Sequence, residues 1–138
     1  MKPNPAPDNL DQPIGEHLRR DFITLPADKT VSESLTDLRG RPIGEKIIYF
    51  YVVDPDGRLV GVVPTRRLLM SDPSARIAAI MVPNVVAVNG SASVLTACEL
   101  FIRHRFLALP VVDADGKMLG VVDITLFTEE MSDVAERH

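Results

Sequence analysis

The chain has 138 residues, 46% of them hydrophobic, which is enough to form one globular domain or a closely joined pair of small ones. Its formal net charge of −4 argues against a nucleic-acid-binding surface, and its single cysteine, Cys98, excludes a disulfide framework and a cysteine-rich zinc site. No apolar run approaches the roughly 18 residues of a membrane helix. We therefore expect a cytoplasmic protein that is complete as it stands.

The first half of the chain predicts a strand, a helix, a hairpin and a second helix. Residues 1–12 are proline-rich and predict a flexible tail, after which one helical turn begins at Pro13 and a short strand covers 22–25. Thr30 and Glu33 have the spacing of a capping box, so a helix should follow as far as Leu38. Residues 47–68 then contain two apolar runs around Asp-Pro-Asp-Gly, a hairpin signal, and end in a short helix.

The second half repeats this order. Asp72 and Pro73 predict the N-cap and the first position of a short helix, and a strand should cover 85–88. A longer helix begins at Ser93 and directs Cys98 toward the core, so we interpret Cys98 as a buried apolar residue rather than a reactive thiol. Residues 106–127 form the second hairpin and helix, with Asp-Ala-Asp-Gly at the turn.

The two halves align as an internal duplication. Val31 matches Val94 at a spacing of 63 residues, and Gly61 matches Gly120 at a spacing of 59, so four extra residues lie in the loop 39–46. This predicts an α/β (α+β) fold of two β-α-β-β-α repeats packed with pseudo-twofold symmetry. The predicted boundaries are a tail at 1–12, repeats at 13–71 and 72–131, and a C-terminal tail at 132–138.

This repeated pattern, with LPVVDADGKMLGVVD as its clearest hairpin, resembles the CBS domain, and two in tandem resemble a CBS pair, or Bateman module. Segments 48–54, 57–62, 80–83 and 109–113, with the linker at 72–73, further resemble the cytosolic CBS pair of MgtE-type magnesium transporters. The resemblance implies a regulatory, non-catalytic, disc-like homodimer. It also implies an adenine nucleotide ligand (AMP, ADP or ATP), with or without Mg²⁺, an unknown protein partner, and no contact with nucleic acid or membrane.

The resemblance places one potential nucleotide cleft on each repeat, beside the first strand, the start of the hairpin and the start of the last helix. In the first repeat it implies Phe22, Ile23, Thr24, Ile48, Tyr49, Tyr51, Thr65, Arg66 and Arg67 as binding residues. In the second repeat it implies Val86, Leu107, Ala108, Pro110, Asp123 and Thr125.

Both repeats depart from the ribose-phosphate motif of the family, a Thr or Ser followed two residues later by Asp. The first has Pro-Thr-Arg-Arg at 64–67, and the second has Asp-Ile-Thr-Leu at 123–126. Losing a charged acceptor removes hydrogen bonds worth about 1.5–3 kcal/mol each. Asp123 also brings a negative charge toward the phosphate path, whereas Arg66 and Arg67 are a possible phosphate clamp, so we favour the first cleft.

Simpler interpretations stay open. Arg66 and Arg67 could be a solvated helix surface, and Tyr49 and Tyr51 could pack in a strand buried on both faces rather than stack on adenine. The scattered histidines have no partners at metal-ligand spacing. The whole chain could also be a dimeric adaptor with degenerate sites, associating through the apolar residues of its outer helices. These residues are Leu68, Leu69, Met70, Phe127 and Met131.

Overall fold

The computed structural model describes residues 11–41 and 49–123, and the account below concerns those residues. Several predictions lie outside them: most of the four-residue insertion, the last helix of the second repeat, and the candidate binding residues Ile48 and Thr125.

Short helices and short strands are interspersed along the described chain, which confirms the mixed α+β class. In order, they are a 3₁₀ helix (Ile14–His17), β1 (Thr24–Pro26), α1 (Val31–Arg39), β2 (Tyr49–Val53), β3 (Leu59–Pro64), α2 (Thr65–Met70), α3 (Ile77–Ile80), β4 (Val82–Pro83), β5 (Val88–Asn89), α4 (Val94–His104), β6 (Ala108–Val112) and β7 (Met118–Asp123).

The chain divides into two compact units, each with its own sheet. The described residues of the β1–β4 unit are 21–41, 49–85 and 115–118, and its strands lie in the order β1-β2-β3-β4. Here β1 runs parallel to β2, while β2 pairs with β3, and β3 with β4, in antiparallel fashion. The described residues of the β5–β7 unit are 11–20, 86–114 and 119–123, with strand order β5-β6-β7 and β5 parallel to β6.

Side-chain caps start the two longer helices, as predicted. Thr30 Oγ1 accepts a hydrogen bond from the Glu33 amide at 3.1 Å, and Glu33 Oε1 accepts one from the Thr30 amide at 3.0 Å, so the capping box of α1 is complete. Ser93 Oγ accepts from the Thr96 amide at 3.1 Å and starts α4. Cys98 in α4 is buried in the core of the β5–β7 unit, which confirms its interpretation as an apolar core residue.

The Asp-x-Asp-Gly segments are turns, also as predicted. Gly57 and Gly116 have φ angles of 86° and 85°, which favour glycine. In the first turn, Asp54 Oδ1 accepts hydrogen bonds from the amides of Asp56 and Arg58 at 3.0 and 2.9 Å. The Asp54 carboxylate therefore holds the turn that joins β2 to β3.

The prediction that Asp72 and Pro73 start a helix is wrong. Asp72 Oδ1 accepts hydrogen bonds from the amide and hydroxyl of Ser74 at 2.9 and 2.8 Å, and its carbonyl oxygen accepts one from the Ala75 amide. These bonds complete a turn, so the local alternative to a helix is satisfied and α3 begins only at Ile77. The two predicted strands also shift: β1 begins at Thr24, where pairing with Tyr51 begins, and β5 begins at Val88.

Each unit combines the sheet of one repeat with the first short helix of the other repeat. In the β5–β7 unit, Pro13 bridges Ser93 and the Ile14 amide donates to the Ala92 carbonyl. In the β1–β4 unit, Thr30 bridges Arg76 in the same way. These two bridges correspond under the 63-residue repeat, because Pro13 aligns with Arg76 and Thr30 with Ser93.

Candidate functional site

Three of the predicted binding segments are neighbours in the β1–β4 unit, with β2 at their centre. Thr24 of β1 lies beside Tyr51, whose amide donates to the Ile23 carbonyl at 3.0 Å. On the other edge of β2, Tyr49 lies opposite Pro64, and the next residue, Thr65, begins α2. The backbone thus places the entry to β1, the start of the hairpin and the start of α2 at one end of the sheet.

The two faces of β2 are different. Phe50 and Val52 belong to the core cluster of the unit, so the alternation of a strand places Tyr49 and Tyr51 on the opposite face. Tyr51 is only 3% exposed, and Tyr49 is half-buried. The strand is therefore buried on both faces at Tyr51, as its alternating sequence predicted.

The side chains of the first strand segment divide between these faces. Ile23 belongs to the core cluster, whereas Thr24, registered with Tyr51, lies on the opposite face and is half-buried. Phe22, which precedes the strand, is also half-buried. Of the three, Thr24 is the residue that the strand register places beside Tyr51.

Two hollows adjoin α2, and they separate Thr65 from the arginines. Arg66 and Arg67, both exposed, line an open hollow of about 480 Å³ together with Pro64, Met70 and Ser71. Arg67 Nη1 also donates to the Ile80 carbonyl at 3.2 Å, which ties it to the end of α3. Thr65 instead lines an apolar hollow of about 380 Å³ between α1 and α2. The other lining residues of that hollow are Leu35, Leu38, Arg39, Phe50, Leu68 and Leu69.

The candidate residues of the β5–β7 unit are less accessible. Ala108 and Pro110 are buried and lie on the face of β6 opposite Leu109 and Val111, which belong to the core cluster. Val86 packs against the same cluster. Leu107, by contrast, precedes the strand and is exposed.

Asp123, predicted as a negative charge on the phosphate path, forms a bidentate ion pair with Arg19. Arg19 Nε donates to Asp123 Oδ2 at 3.0 Å, and Nη2 donates to Oδ1 at 2.9 Å. The main chain of Arg19 forms two further hydrogen bonds, one in each direction, with Val121. The carboxylate is therefore neutralised locally.

Sequence reasoning missed this pair, although the duplication contains a signal for it. Under the repeat, Arg19 corresponds to Val82 and Asp123 to Pro64, two uncharged residues. Arg19 forms a bridge with Val121 in β7, the strand that carries Asp123. In the other unit, Val82 pairs with Val62 in β3, the strand that carries Pro64. Val82 and Pro64 are neighbours in one unit, so the opposite charges at the corresponding positions 19 and 123 are a signal that these two residues also meet.

His17 and His104, the histidines in the described part of the chain, each contact a side chain that is not a typical metal ligand. His17 Nε2 lies 3.1 Å from Gln12 Oε1, and the His104 ring stacks on Phe106 with 5.1 Å between centroids. Within residues 11–41 and 49–123, no group of three or more His, Cys, Asp and Glu side chains could hold a metal ion. No helix in that part of the chain is long and apolar enough to cross a membrane.

Comparison with known proteins gives a family match over both repeats. The model of the CBS domain matches residues 14–73 and 77–133. The magnesium transporter MgtE of Thermus thermophilus is 38% identical over 117 residues, which are 84% of this chain and 25% of the transporter. The chain spans about a quarter of the length of the curated MgtE relatives it matches.

Solved structures agree with this match. The cytosolic domain of the Mg²⁺ channel MgtE in complex with ATP superposes with a TM-score of 0.78 at 34% identity, covering 94% of this chain and 51% of that one. The protein CBSX2 in complex with AMP has a TM-score of 0.69 at 23% identity, covering 90% of this chain and 98% of that one, which is a likeness of fold alone.

Proposed function

Because this chain belongs to the CBS-domain family, with two copies in tandem, we propose that it is a regulatory module that binds an adenine nucleotide and passes its bound state to a partner protein. The role is non-catalytic and cytoplasmic in this proposal. Its similarity to a cytosolic domain solved with ATP supports AMP, ADP or ATP as the ligand class, with Mg²⁺ as a possible companion of the phosphates.

The observation that carries the proposal is the convergence of three segments on β2. The adenine and ribose would lie beside Thr24 and Tyr49, both half-buried, at the end of the sheet where α2 begins. From there the phosphates would extend toward Arg66 and Arg67, which line the open hollow. Guanidinium groups bind phosphate oxygens through paired, charge-assisted hydrogen bonds.

The β1–β4 unit is the better candidate for an anion. In the β5–β7 unit, the guanidinium of Arg19 already binds the Asp123 carboxylate through two hydrogen bonds. A phosphate approaching Arg19 would therefore also meet the negative charge of Asp123, whereas Arg66 forms no ion pair with any described carboxylate. The proposed nucleotide site therefore belongs to the first repeat.

Regulation would follow from unequal affinity for two states of the protein. A ligand shifts a conformational equilibrium by no more than the difference between its binding free energies to the two states. Helix α2 would transmit ligand binding to the core of the unit, since Arg66 and Arg67 precede the buried Leu68 on the same short helix.

Isothermal titration calorimetry with AMP, ADP and ATP, each with and without Mg²⁺, tests the proposal. We expect binding by the native protein, and a loss of about tenfold or more in ATP affinity for the double variant R66A/R67A, since a hydrogen bond to a charged group contributes about 1.5–3 kcal/mol. AMP, with one phosphate, should lose less than ATP. The matched control is R41A, because Arg41 is exposed and lines neither hollow.

Absence of heat at millimolar concentrations of all three nucleotides would refute the ligand and favour a second function, a dimeric adaptor with degenerate sites. One observation supports that alternative: Leu69 and Met70 on α2 are 65% and 78% exposed. Apolar side chains so exposed on a short helix are typical of a surface that meets another protein. Homodimerisation is part of both proposals.

A further inference from the structure

Arg66 and Arg67 are adjacent arginines with different surroundings. Both are exposed, and both line the open hollow beside α2. Arg67 Nη1 also donates a hydrogen bond to the main-chain carbonyl of Ile80 at 3.2 Å, whereas the Arg66 side chain has no hydrogen-bond or ion-pair partner among the described residues. Arg67 is therefore the one of the two that joins the hollow to another helix of the unit.

The two ends of α3 are held in different ways. At its start, the Ile77 amide donates to the Lys29 carbonyl at 2.8 Å, so the main chain of another segment fixes this end. At its end, the Met81 amide closes the helix on the Ile77 carbonyl at 3.0 Å, and the Ile80 carbonyl accepts from Arg67. An exposed side chain from α2 thus contributes to holding the end of α3.

The end of α3 leads directly into the connection between the two units. Strand β4, two residues beyond Ile80, is an edge strand of only two residues that pairs with β3. Asn84 follows with a φ angle of 57°, which costs more energy for residues other than glycine. The chain then enters the β5–β7 unit at Val86. Residues 80–85 are therefore a short connection with few bonds of its own.

The guanidinium of Arg67 can hold two partners at once. A guanidinium has five N–H donors in a rigid plane, and Arg67 uses Nη1 for the Ile80 carbonyl and forms no other bond with a described residue. A phosphate in the open hollow could bind the remaining N–H groups while Nη1 keeps its bond. A side chain that one partner has already ordered loses less conformational entropy on binding the second, so each bond favours the other.

We propose that Arg67 is a relay, which binds a phosphate of the nucleotide on one side and the Ile80 carbonyl on the other. Nucleotide binding would then order the end of α3 and the connection at 80–85. This inference rests on the proposed nucleotide site and names the residue through which that site acts. The residue of the second repeat that corresponds to Arg67 is Leu126, whose side chain donates no hydrogen bond, so the relay is a property of the first repeat.

Amide hydrogen exchange with and without ATP, at a concentration that calorimetry shows to be saturating, tests the relay. In the native protein we expect ATP to slow exchange of the Met81 amide about threefold to tenfold, the effect of strengthening one hydrogen bond. The Ile77 amide, which is bonded to Lys29 at the other end of α3, is the internal reference and should not change. R66A is the matched control. It should bind ATP more weakly but show the same slowing at saturation, because Arg66 has no bond to α3.

The variant R67K separates phosphate binding from the relay. Lysine keeps a positive charge for the phosphate but has a compact ammonium in place of the planar fork, so it should not hold both partners. We expect R67K to retain measurable ATP affinity and to lose the slowing at Met81, and R67A to lose it as well. Slowing in R67K or R67A equal to that of the native protein, or no slowing in the ATP-saturated native protein, would overturn the relay and leave the nucleotide site standing. Absence of ATP binding by the native protein would overturn both.

Discussion

Ser34 shows how a single residue can depart from an otherwise consistent core. Its hydroxyl is the one buried side-chain polar atom without a hydrogen-bond partner among the described residues, and the residue is 1% exposed on the inner side of α1. The corresponding residue of the second repeat, 63 positions later, is Ala97, which is fully buried in α4. The same buried helix position is therefore occupied by a residue with a hydroxyl in the first repeat and by one without it in the second.

We predict that S34A stabilises the protein by about 1 kcal/mol, because an unsatisfied buried hydroxyl costs about 1–3 kcal/mol in desolvation and Ala fits the same position in the other repeat. The free energy of unfolding from urea titration measures the effect. The reverse change, A97S, is the matched control and should destabilise by a similar amount. A loss of stability in S34A would mean that the hydroxyl has a partner, such as an ordered water.

At the scale of the element, the sequence predicted structure best where the signal is local and unopposed. The capping box and the Ser93 cap locate α1 and α4, and Gly57 and Gly116 locate the two turns. Asp72-Pro73 has equally good helix-starting chemistry, yet Ser74 satisfies Asp72 in a turn and the helix begins later. A cap motif alone cannot show whether its side chain will bond a helix or a turn.

The capping box also makes a pH-dependent contribution. The hydrogen bond from the Thr30 backbone amide, reinforced by the Thr30 hydroxyl, lowers the pKa of Glu33 below its usual value. A group whose pKa is lower in the folded state stabilises the fold above its unfolded pKa, about 4.3 for Glu, and the contribution is lost as the pH falls through the folded pKa.

We therefore predict that E33Q is less stable than the native protein at pH 7, and that the difference disappears as the pH is lowered below the folded pKa, because a protonated Glu33 is equivalent to Gln. Urea titrations between pH 7 and pH 3 measure the difference. In α4 the corresponding residue is Thr96, which does not ionise, so T96Q should show a constant difference over the same range. A difference between E33Q and the native protein that does not vary with pH would contradict the assignment.

At the scale of the molecule, the duplication predicted the repeat order and the hairpins, and the resemblance to the CBS domain is confirmed by the family match. The duplication did not predict that each unit contains the first short helix of the other repeat, since bridges such as Pro13 to Ser93 join residues far apart in sequence. The same limit applied to the candidate site. Its neighbouring strands could be predicted from the sequence. The pairing of Asp123 with Arg19 could not, because it requires a segment of the first repeat to pack in the β5–β7 unit.

The ion pair between Arg19 and Asp123 joins residues 13–19, which come from the first repeat, to β7. We therefore expect loss of the pair to destabilise that edge of the β5–β7 unit. Both side chains are largely buried, 18% and 17% exposed, and two charge-assisted hydrogen bonds join them. D123A should lower the free energy of unfolding by about 1–3 kcal/mol. Amide hydrogen exchange should accelerate at Val121, whose amide donates to the Arg19 carbonyl at 2.9 Å.

The charge-swapped double variant R19D/D123R distinguishes the contribution of the ion pair to stability from the contribution of side-chain packing. If charge complementarity holds residues 13–19, the double variant should lose less unfolding free energy than the two single variants lose together. Protection of the Val121 amide against hydrogen exchange should also return in part. V82A is the control, because Val82 is the corresponding residue of the other unit and forms its bridge to Val62 without charge. A loss in the double variant equal to the sum of the two single losses would show that the segment is held by its main-chain bonds and by the buried Ile14 rather than by the ion pair.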